Sequence, residues 1–368
     1  MGGSSSKDKK EENVIESGQL GDNDKSYITS VIQVLYNIIE FKNYFIQNQN
    51  NKNPNKHLSI LMHKIIQTPL ENLDFIKEGN EISKILRTKY NLNMASNPGE
   101  IIIQILLVLK YEEKEMKTPN WEKYILNNPD LFNNITDDKK ALNDILDLNK
   151  EHFNSNFSSM FFGVFCAKRK LQSNNNILNF YNFYCVYELN MPLIYQNMIN
   201  KGKIREDPNN YLPKIDLIDC IKEMQENQNE IFNGENCSTQ YYMFNAPNIL
   251  IFYLKSEAKD LDTFRGMVLF KEYMDFSSVV LNTQSNNFKL IAMINKDRYK
   301  AKAREKKDKK GAQWMANPDD DERSNYRSVF RDGRNIFGYY DSYQNINNCE
   351  LIIDDIEYYH EILIFMRC

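Results

Sequence analysis

The chain has 368 residues, of which 42% are hydrophobic, so it is long enough to bury a substantial core as one large domain or two ordinary ones. Its 46 basic and 50 acidic residues give a net charge of −4, and this near balance argues against a dedicated nucleic-acid-binding protein, which would carry a basic excess. No apolar run approaches the roughly 18 to 20 residues that cross a bilayer, and no secretory segment follows the first methionine, so we expect a soluble protein.

Six cysteines are scattered along the chain with no Cys-x-x-Cys pair among them. They are Cys166, Cys185, Cys220, Cys237, Cys349 and Cys368. A long chain with this spacing is typical of a reducing compartment, because secreted disulfide-rich domains are short and dense in cysteine. We therefore expect free thiols and a cytoplasmic protein, with association with a membrane, or with a cytoskeletal or other large assembly, as open alternatives.

The N-terminal residues match the pattern M-G-x-x-x-[ST] for attachment of myristate to Gly2. Residues 1–16 are small and charged, and we expect them to form a disordered tail. One myristoyl chain holds a protein at a membrane only marginally, so membrane binding would also need the lysines that follow, which nearby acidic residues partly offset. A flexible tail without lipid explains the same residues equally well.

The first part of the chain has the periodicity of helices. From Tyr27 to Phe45 apolar residues recur at helical spacing, which predicts one amphipathic helix. Asn97 is placed to cap a later helix that has Pro98 in its first turn. Further helices are predicted over residues 58–67, 81–90 and 99–111.

After Phe157 the local composition changes to runs of aromatic and β-branched residues, which predict strands. The runs lie at residues 160–166, 180–189, 249–254, 267–270, 288–294, 326–330 and 362–365. Helices followed by a mostly antiparallel sheet predict an α+β fold with a cleft between its lobes. Residues 300–321 form a charged insertion between two strands, and we interpret it as a long loop in water rather than as a binding site for nucleic acid or an acidic partner.

Several strings, in order along the chain, resemble the sequence boxes of the ubiquitin-specific proteases. The first box of that family reads approximately Gly-Leu-x-Asn-x-Gly-Asn-Thr-Cys-Tyr-x-Asn-Ser-x-x-Gln, and this chain matches it at Gly18, Tyr27, Ser30 and Gln33. The strongest match is residues 247–255, which resemble the strand Pro-x-x-Leu-x-x-x-Leu-Lys. The other boxes are at residues 96–102, with Glu100 as the match, and at 161–163, 268–276, 288–294, 325–342 and 363–367.

The resemblance implies a papain-like fold with thumb, palm and fingers over residues 17–368. It places the thumb at residues 18–155, the fingers at 156–250 and the palm at 247–368. The charged loop then lies within the palm, just before the box that borders the cleft in the family.

The chemistry of the family is acyl transfer to a cysteine thiolate, with a histidine as base and a further residue that orients the histidine. The resemblance places changed residues at all of these positions and at the asparagine that helps to hold the oxyanion. These are Ser26 for the cysteine, Asn325 for the histidine, Tyr340 for the orienting acid and Gly21 for the oxyanion asparagine. Because serine needs a base and an amide accepts no proton near neutral pH, we expect no catalytic residues.

Two further features of the family are not found in the sequence. The four histidines do not match the base and are interpreted as ordinary surface or packing residues: His57, His63, His152 and His360. The fingers of the family often hold zinc with two Cys-x-x-Cys pairs, whereas here Cys237 is followed by Gln240 and residues 167–176 contain no cysteine. We therefore predict reduced fingers without zinc, and no cofactor.

Together these patterns predict a catalytically inactive relative of the ubiquitin-specific proteases that acts as a protein-binding or scaffolding subunit of a larger assembly. Two alternatives stay open: an active deubiquitinase with a displaced catalytic set, and a non-hydrolytic ubiquitin-binding module. A third is an unrelated α+β structural protein whose strands mimic the boxes. The expected partners are proteins, with ubiquitin as an open candidate, and not nucleic acid; a membrane is expected only if Gly2 is acylated.

Overall fold

The computed structural model describes residues 26–48, 53–93, 95–113, 143–147, 155–173, 177–204, 212–226, 228–232, 234–258, 261–281, 285–297, 326–331, 337–340, 346–349 and 358–368. Four regions discussed above lie outside the described residues, namely the tail with Gly2, the position Gly21, the charged insertion 300–321 and the position Asn325.

Five α-helices lie within the described residues 26–113. They are α1 (Ser26–Asn37), α2 (Ile39–Gln47), α3 (His57–Gln67), α4 (Phe75–Tyr90) and α5 (Pro98–Glu113). The prediction of one helix from Tyr27 to Phe45 is wrong, because the chain breaks at Ile38, whose ψ of 112° is extended. Asn37 favours the break, since its side-chain amide donates to the Gln33 carbonyl at 2.7 Å and so competes with the helical backbone.

Side-chain caps fix the starts of the two long helices. Asp74 accepts from the amides of Ile76 and Lys77 at 3.1 and 3.0 Å, so α4 begins six residues before the predicted Glu81. The predicted cap of α5 is confirmed, because Asn97 Oδ1 accepts from the amide at position 100 at 2.9 Å.

The later part of the described chain holds most of the strands. They are β1 (Gly163–Leu171), β2 (Ile177–Tyr184), β3 (Tyr187–Asn190), β4 (Lys214–Asp216), β5 (Gln228–Phe232), β6 (Glu235–Asn245), β7 (Ile249–Lys255), β8 (Met267–Leu269), β9 (Tyr273–Asp275), β10 (Asn287–Asp297), β11 (Tyr326–Arg331), β12 (Phe337–Tyr340), β13 (Ile346–Cys349) and β14 (Tyr358–Arg367). Three further helices are α6 (Asn156–Phe161), α7 (Met191–Asn200) and α8 (Leu217–Gln225).

The strands form two main sheets. The larger has the order β13-β12-β11-β10-β14-β7-β3, with β9 also paired to β10, and the smaller has the order β2-β1-β6-β5. All pairs in them are antiparallel except β3 with β7, and β4 and β8 form a separate parallel pair. The predicted α+β fold is confirmed. Four of the strands predicted from the sequence boxes, β11, β10, β14 and β7, are consecutive neighbours in the larger sheet.

Two predicted strand runs are wrong in their limits. The run 160–166 begins in α6, and β1 starts only at Gly163. The run 180–189 is divided between β2 and β3, which belong to different sheets, because the chain bends at residues 185–186. Helices α7 and α8 were not predicted, although Asn190 and Asp216 cap them with their side chains.

The larger sheet separates two hydrophobic cores, because alternate residues of a strand point to opposite faces. On one face, Ile251 and Ile364 join the core that the helices α1 to α5 fill. On the other face, Phe252 and Phe365 join a core that includes residues of α7 and α8. Within the described segments, no helix combines the length and the apolar character that crossing a bilayer requires.

Candidate functional site

Helix α1 lies against strand β11 and so carries the first of the degenerate positions, Ser26, to the larger sheet. The ring of Tyr27 meets the ring of Tyr326 edge to face, with centroids 6.4 Å apart. Further along both elements, Ser328 Oγ donates to Gln33 Oε1 at 2.6 Å in a buried hydrogen bond. In the sequence, Ser26 directly precedes Tyr27 and position 325 directly precedes Tyr326, and these two tyrosines are in contact.

The third position lies on the next strand of the same sheet. Tyr340 ends β12, and its backbone lies opposite Ser328 of β11 and Ile346 of β13. The described elements thus bring the start of α1, the start of β11 and the end of β12 to neighbouring places in the fold. The fourth position, Gly21, lies outside the described residues, as does Asn325.

Three buried tyrosines close the junction between the helices and the larger sheet. Tyr27 donates through its hydroxyl to the Ala95 carbonyl at 2.6 Å and packs on Tyr326. Tyr253 of β7 packs directly on the first turn of α5, since a Cβ added to Gly99 would lie only 2.4 Å from the Tyr253 Cδ1 atom. All three rings are less than 10% exposed in the chain alone.

Glu361 is a buried carboxyl beside these tyrosines. The pairing of β10 with β14 shifts there, so that Ile294 faces Ile362 while Asn295 faces His360, and Glu361 is the extra, bulged residue. It is only 3% exposed. Burial raises its pKa to about 7, although the charge of Lys296 and a hydrogen bond from the Tyr326 hydroxyl act in the opposite direction.

The described histidines belong to α3 and β14. His57 and His63 are in α3, which packs on α2, α4 and α5. His360 is in β14, just before the predicted strand run 362–365. Its Nδ1 lies 2.8 Å from Asn295 Oδ1, and its ring packs on Phe270 of the core on the other face of the sheet from α1. His152 lies outside the described residues.

The described cysteines do not provide an alternative nucleophile in the interior. Burial raises the pKa of the Cys185 thiol to about 12 and also raises that of Cys220, so both stay protonated at neutral pH. Cys237 is buried in β6 with its Sγ 3.6 Å from Thr239 Oγ1. Cys166 is another buried free thiol, and Cys368 is an exposed one.

Ligand-sized features are scarce in the described part of the chain. No group of three or more histidine, cysteine, aspartate or glutamate side chains is arranged there to hold a metal ion. A pocket between α1, α4 and α5, lined by Tyr27, Arg87 and Gln104 among others, has a volume of about 10 Å³, which is room for about one water. The features that remain at the junction are the three tyrosines and the carboxyl of Glu361.

Sequence reasoning placed Tyr27, Tyr253 and Tyr326 within boxes but gave them no contacts, and it did not single out Glu361. The signal for Glu361 is a lone acidic residue that directly precedes the apolar run 362–366 of the last strand. A buried carboxyl needs a hydrogen-bond partner. Here the donor is the Tyr326 hydroxyl, which lies on a strand that is distant in the sequence.

Comparison with known proteins gives a likeness of structure without a likeness of sequence. No family model matches the chain, and no curated protein matches it in sequence. The structure resembles that of the yeast SAGA DUB module with a mutant Sgf73, at a TM-score of 0.60 and 10% identity, with 95% of this chain and 67% of the other covered.

Two further SAGA structures resemble the chain. A DUB module of Ubp8, Sgf11, Sus1 and Sgf73 is similar at a TM-score of 0.61 and 11% identity, over 99% of this chain and 72% of the other. The same module with a Ubp8 variant, bound to monoubiquitin, is similar at a TM-score of 0.50 and 11% identity, over 96% of this chain and 72% of the other. Ubp8 is a ubiquitin-specific protease. The chain therefore has the fold of the ubiquitin-specific proteases.

Proposed function

We propose that this chain is a catalytically inactive ubiquitin-specific-protease-like protein that serves as a protein-binding or scaffolding subunit of a larger assembly. The observation that carries the proposal is that α1 begins at Ser26, the position that the resemblance assigns to the cysteine, whereas His57 and His63 belong to α3 and His360 packs on the other face of the larger sheet from α1. A serine hydroxyl becomes a nucleophile only when an adjacent base removes its proton. The residue that the sequence provides at the position of that base is Asn325, whose amide accepts no proton.

The pattern of matches and changes in the sequence boxes supports this proposal. The matched residues Tyr27 and Gln33 join α1 to the rest of the fold through buried hydrogen bonds. The changed positions are the ones that would perform chemistry. Selection for a stable fold without selection for hydrolysis would keep the first set and release the second.

The closed junction also supports an inactive protein. The rings of Tyr253 and Tyr326 are buried against α5 and α1, so the described part of this junction is filled by side chains of the chain itself. The similar Ubp8 structures contain Sgf11, Sus1 and Sgf73 as further chains, and by analogy we propose that this chain also works within a multi-protein complex.

Labelling with a ubiquitin probe that carries a C-terminal electrophile tests the proposal. We expect no covalent adduct with the wild-type chain and none with Ser26→Cys, because the variant gains a thiol but neither a base nor an open path to it. An adduct on any cysteine of the wild-type chain would contradict the proposal and favour an active enzyme with a displaced catalytic set.

Non-hydrolytic binding of ubiquitin is the second candidate, since one of the similar structures is bound to monoubiquitin. A titration with unmodified ubiquitin separates this candidate from a scaffold that does not bind ubiquitin. A Kd in the low micromolar range, on the order of 8 kcal/mol, would favour a ubiquitin reader. We expect weaker binding, because the junction is filled by side chains of the chain itself.

For the location of the protein, we propose a reducing compartment, the cytoplasm, with membrane association only if Gly2 is acylated. Buried free thiols at Cys185, Cys220 and Cys237 support a reducing compartment. Intact-mass analysis of the protein isolated from cells would show the added mass of one myristoyl group, and Gly2→Ala would remove it.

A further inference from the structure

We propose that Glu361 is a pH-dependent latch of the junction between the helices and the larger sheet, closed when its carboxyl is protonated and loosened when the carboxyl ionises. This inference goes beyond the proposed function, because it holds whether or not the chain binds or cuts ubiquitin.

The first support is the position of Glu361 beside the rings of Tyr326 and Tyr253, which pack against α1 and α5. The bulge in β14 turns the carboxyl towards Tyr326, whose hydroxyl donates to it and whose ring receives Tyr27 of α1. The carboxyl also lies near Tyr253, whose ring receives α5 at Gly99. A change at Glu361 therefore acts directly on two of the contacts between the helices and the larger sheet.

The second support is an unsatisfied acceptor. Glu361 Oε2 is buried and has no hydrogen-bond partner among the residues that the structure describes. A neutral carboxyl tolerates this environment far better than a carboxylate, which needs several donors or a close cation when it is removed from water. Water can reach this oxygen only if the lobes separate at the tyrosines, because the residue is 3% exposed.

The charged groups around Glu361 do not provide that compensation. Lys296 of β10 favours the carboxylate, but its Nζ already lies 3.6 Å from Glu257 Oε1. Glu257 itself raises the pKa of Glu361. Glu188 of β3, which lies opposite Tyr253, and Glu100 of α5 are further acidic groups beside that ring. Ionisation therefore adds a negative charge to a junction that already has three acidic groups around it.

Amide hydrogen exchange measures the opening directly. The carboxyl has a pKa of about 7 in the closed junction and about 4.5 when exposed. Between about pH 5.5 and pH 7.5, the open fraction should rise about 20-fold, at most tenfold per pH unit, after correction for intrinsic exchange rates. We expect this rise in peptides that cover α1 and the start of α5, and a flat profile in the same peptides of Glu361→Gln.

Two further variants complete the test. In Glu81→Gln, an exposed carboxyl of α4 that pairs with Lys84 at the surface is removed, and the rise should stay as in the wild type. Tyr326→Phe removes the donor that stabilises the carboxylate, so its exchange should level off at a higher pH, a result that decides the matter even if Glu361→Gln does not fold. A flat wild-type profile, or the same rise in Glu361→Gln, would overturn the proposal.

Discussion

Gln33 and Ser328 form a buried side-chain hydrogen bond of 2.6 Å that joins α1 to β11 across 295 positions of the chain. Ser328→Ala would leave Gln33 Oε1 buried without a donor, while Gln33 Nε2 already has no partner. We expect the variant to lose about 1 to 3 kcal/mol of unfolding free energy, measured by urea denaturation.

Thr88→Ala is the matched control for that loss of a hydroxyl. The Thr88 hydroxyl is exposed and bonds only within its own helix, to the Lys84 carbonyl at 2.7 Å. Its removal should change stability by no more than about 0.5 kcal/mol. Equal effects of the two substitutions would mean that the bond between α1 and β11 does not stabilise the fold.

Glu361 makes the stability of the whole chain depend on pH with a defined sign. Its pKa is raised from 4.5 to about 7 in the folded chain, so between these values the unfolded chain has released a proton that the folded chain keeps. The unfolding free energy therefore falls as pH rises through this window, by about 3 kcal/mol in total from this group, and is constant above it.

Comparison of Glu361→Gln with the wild type tests that sign. At about pH 8 the variant should be the more stable protein, by up to about 3 kcal/mol, and the advantage should disappear near pH 4.5, as thermal denaturation at both values would show. If the difference in unfolding free energy between wild type and variant is the same at both pH values, Glu361 ionises with an ordinary pKa.

At the scale of elements, α3 illustrates how a helix is held by a residue from elsewhere. Its N-cap, Lys56, makes no side-chain cap, and instead Glu112 of α5 accepts from the amides of Leu58 and Ser59 at 2.7 and 2.6 Å. The hydroxyl of Tyr90 donates to the same buried carboxylate. A negative charge at a helix N-terminus is stabilising, and here one side chain joins α3, α4 and α5.

Glu112→Ala should therefore cost about 3 kcal/mol of unfolding free energy, because two buried donors and one partly buried donor lose their acceptor. Glu81→Ala is the matched control, since Glu81 is 48% exposed and its ion pair with Lys84, at 3.6 Å, lies at the surface. That substitution should change stability by about 0.5 kcal/mol or less. Urea denaturation of both variants measures the loss of unfolding free energy in each, and the loss in Glu112→Ala should be several times the larger.

The sequence predicts those elements whose causes are local. The cap at Asn97 and the apolar strand β7 follow from residues adjacent in sequence, and both are found. The break at Ile38 and the division of the run 180–189 between two sheets depend on packing that sequence periodicity does not encode. The bulge at Glu361 depends on the pairing of β10 with β14, more than 60 residues apart, and so could not be predicted.

For the molecule as a whole, the sequence predicts the candidate site from the order of the sequence boxes along the chain, and not from contacts between residues. The structure places Ser26 and Tyr340 on elements that meet β11, while Asn325 and Gly21 lie outside the described residues. The fold is similar to that of the Ubp8 module at 11% sequence identity, so very different sets of side chains can form the same architecture. The fold alone does not determine catalytic activity, because the same fold can host different functional sites.

Turnover of a fluorogenic ubiquitin conjugate by the purified chain of 368 residues measures the proposed lack of hydrolysis itself. We predict no hydrolysis above that of buffer, and the same result for Ser26→Ala, because the residue at the position of the base is Asn325, whose amide accepts no proton. Hydrolysis by the wild-type chain that a single substitution in this chain abolishes would contradict the proposal.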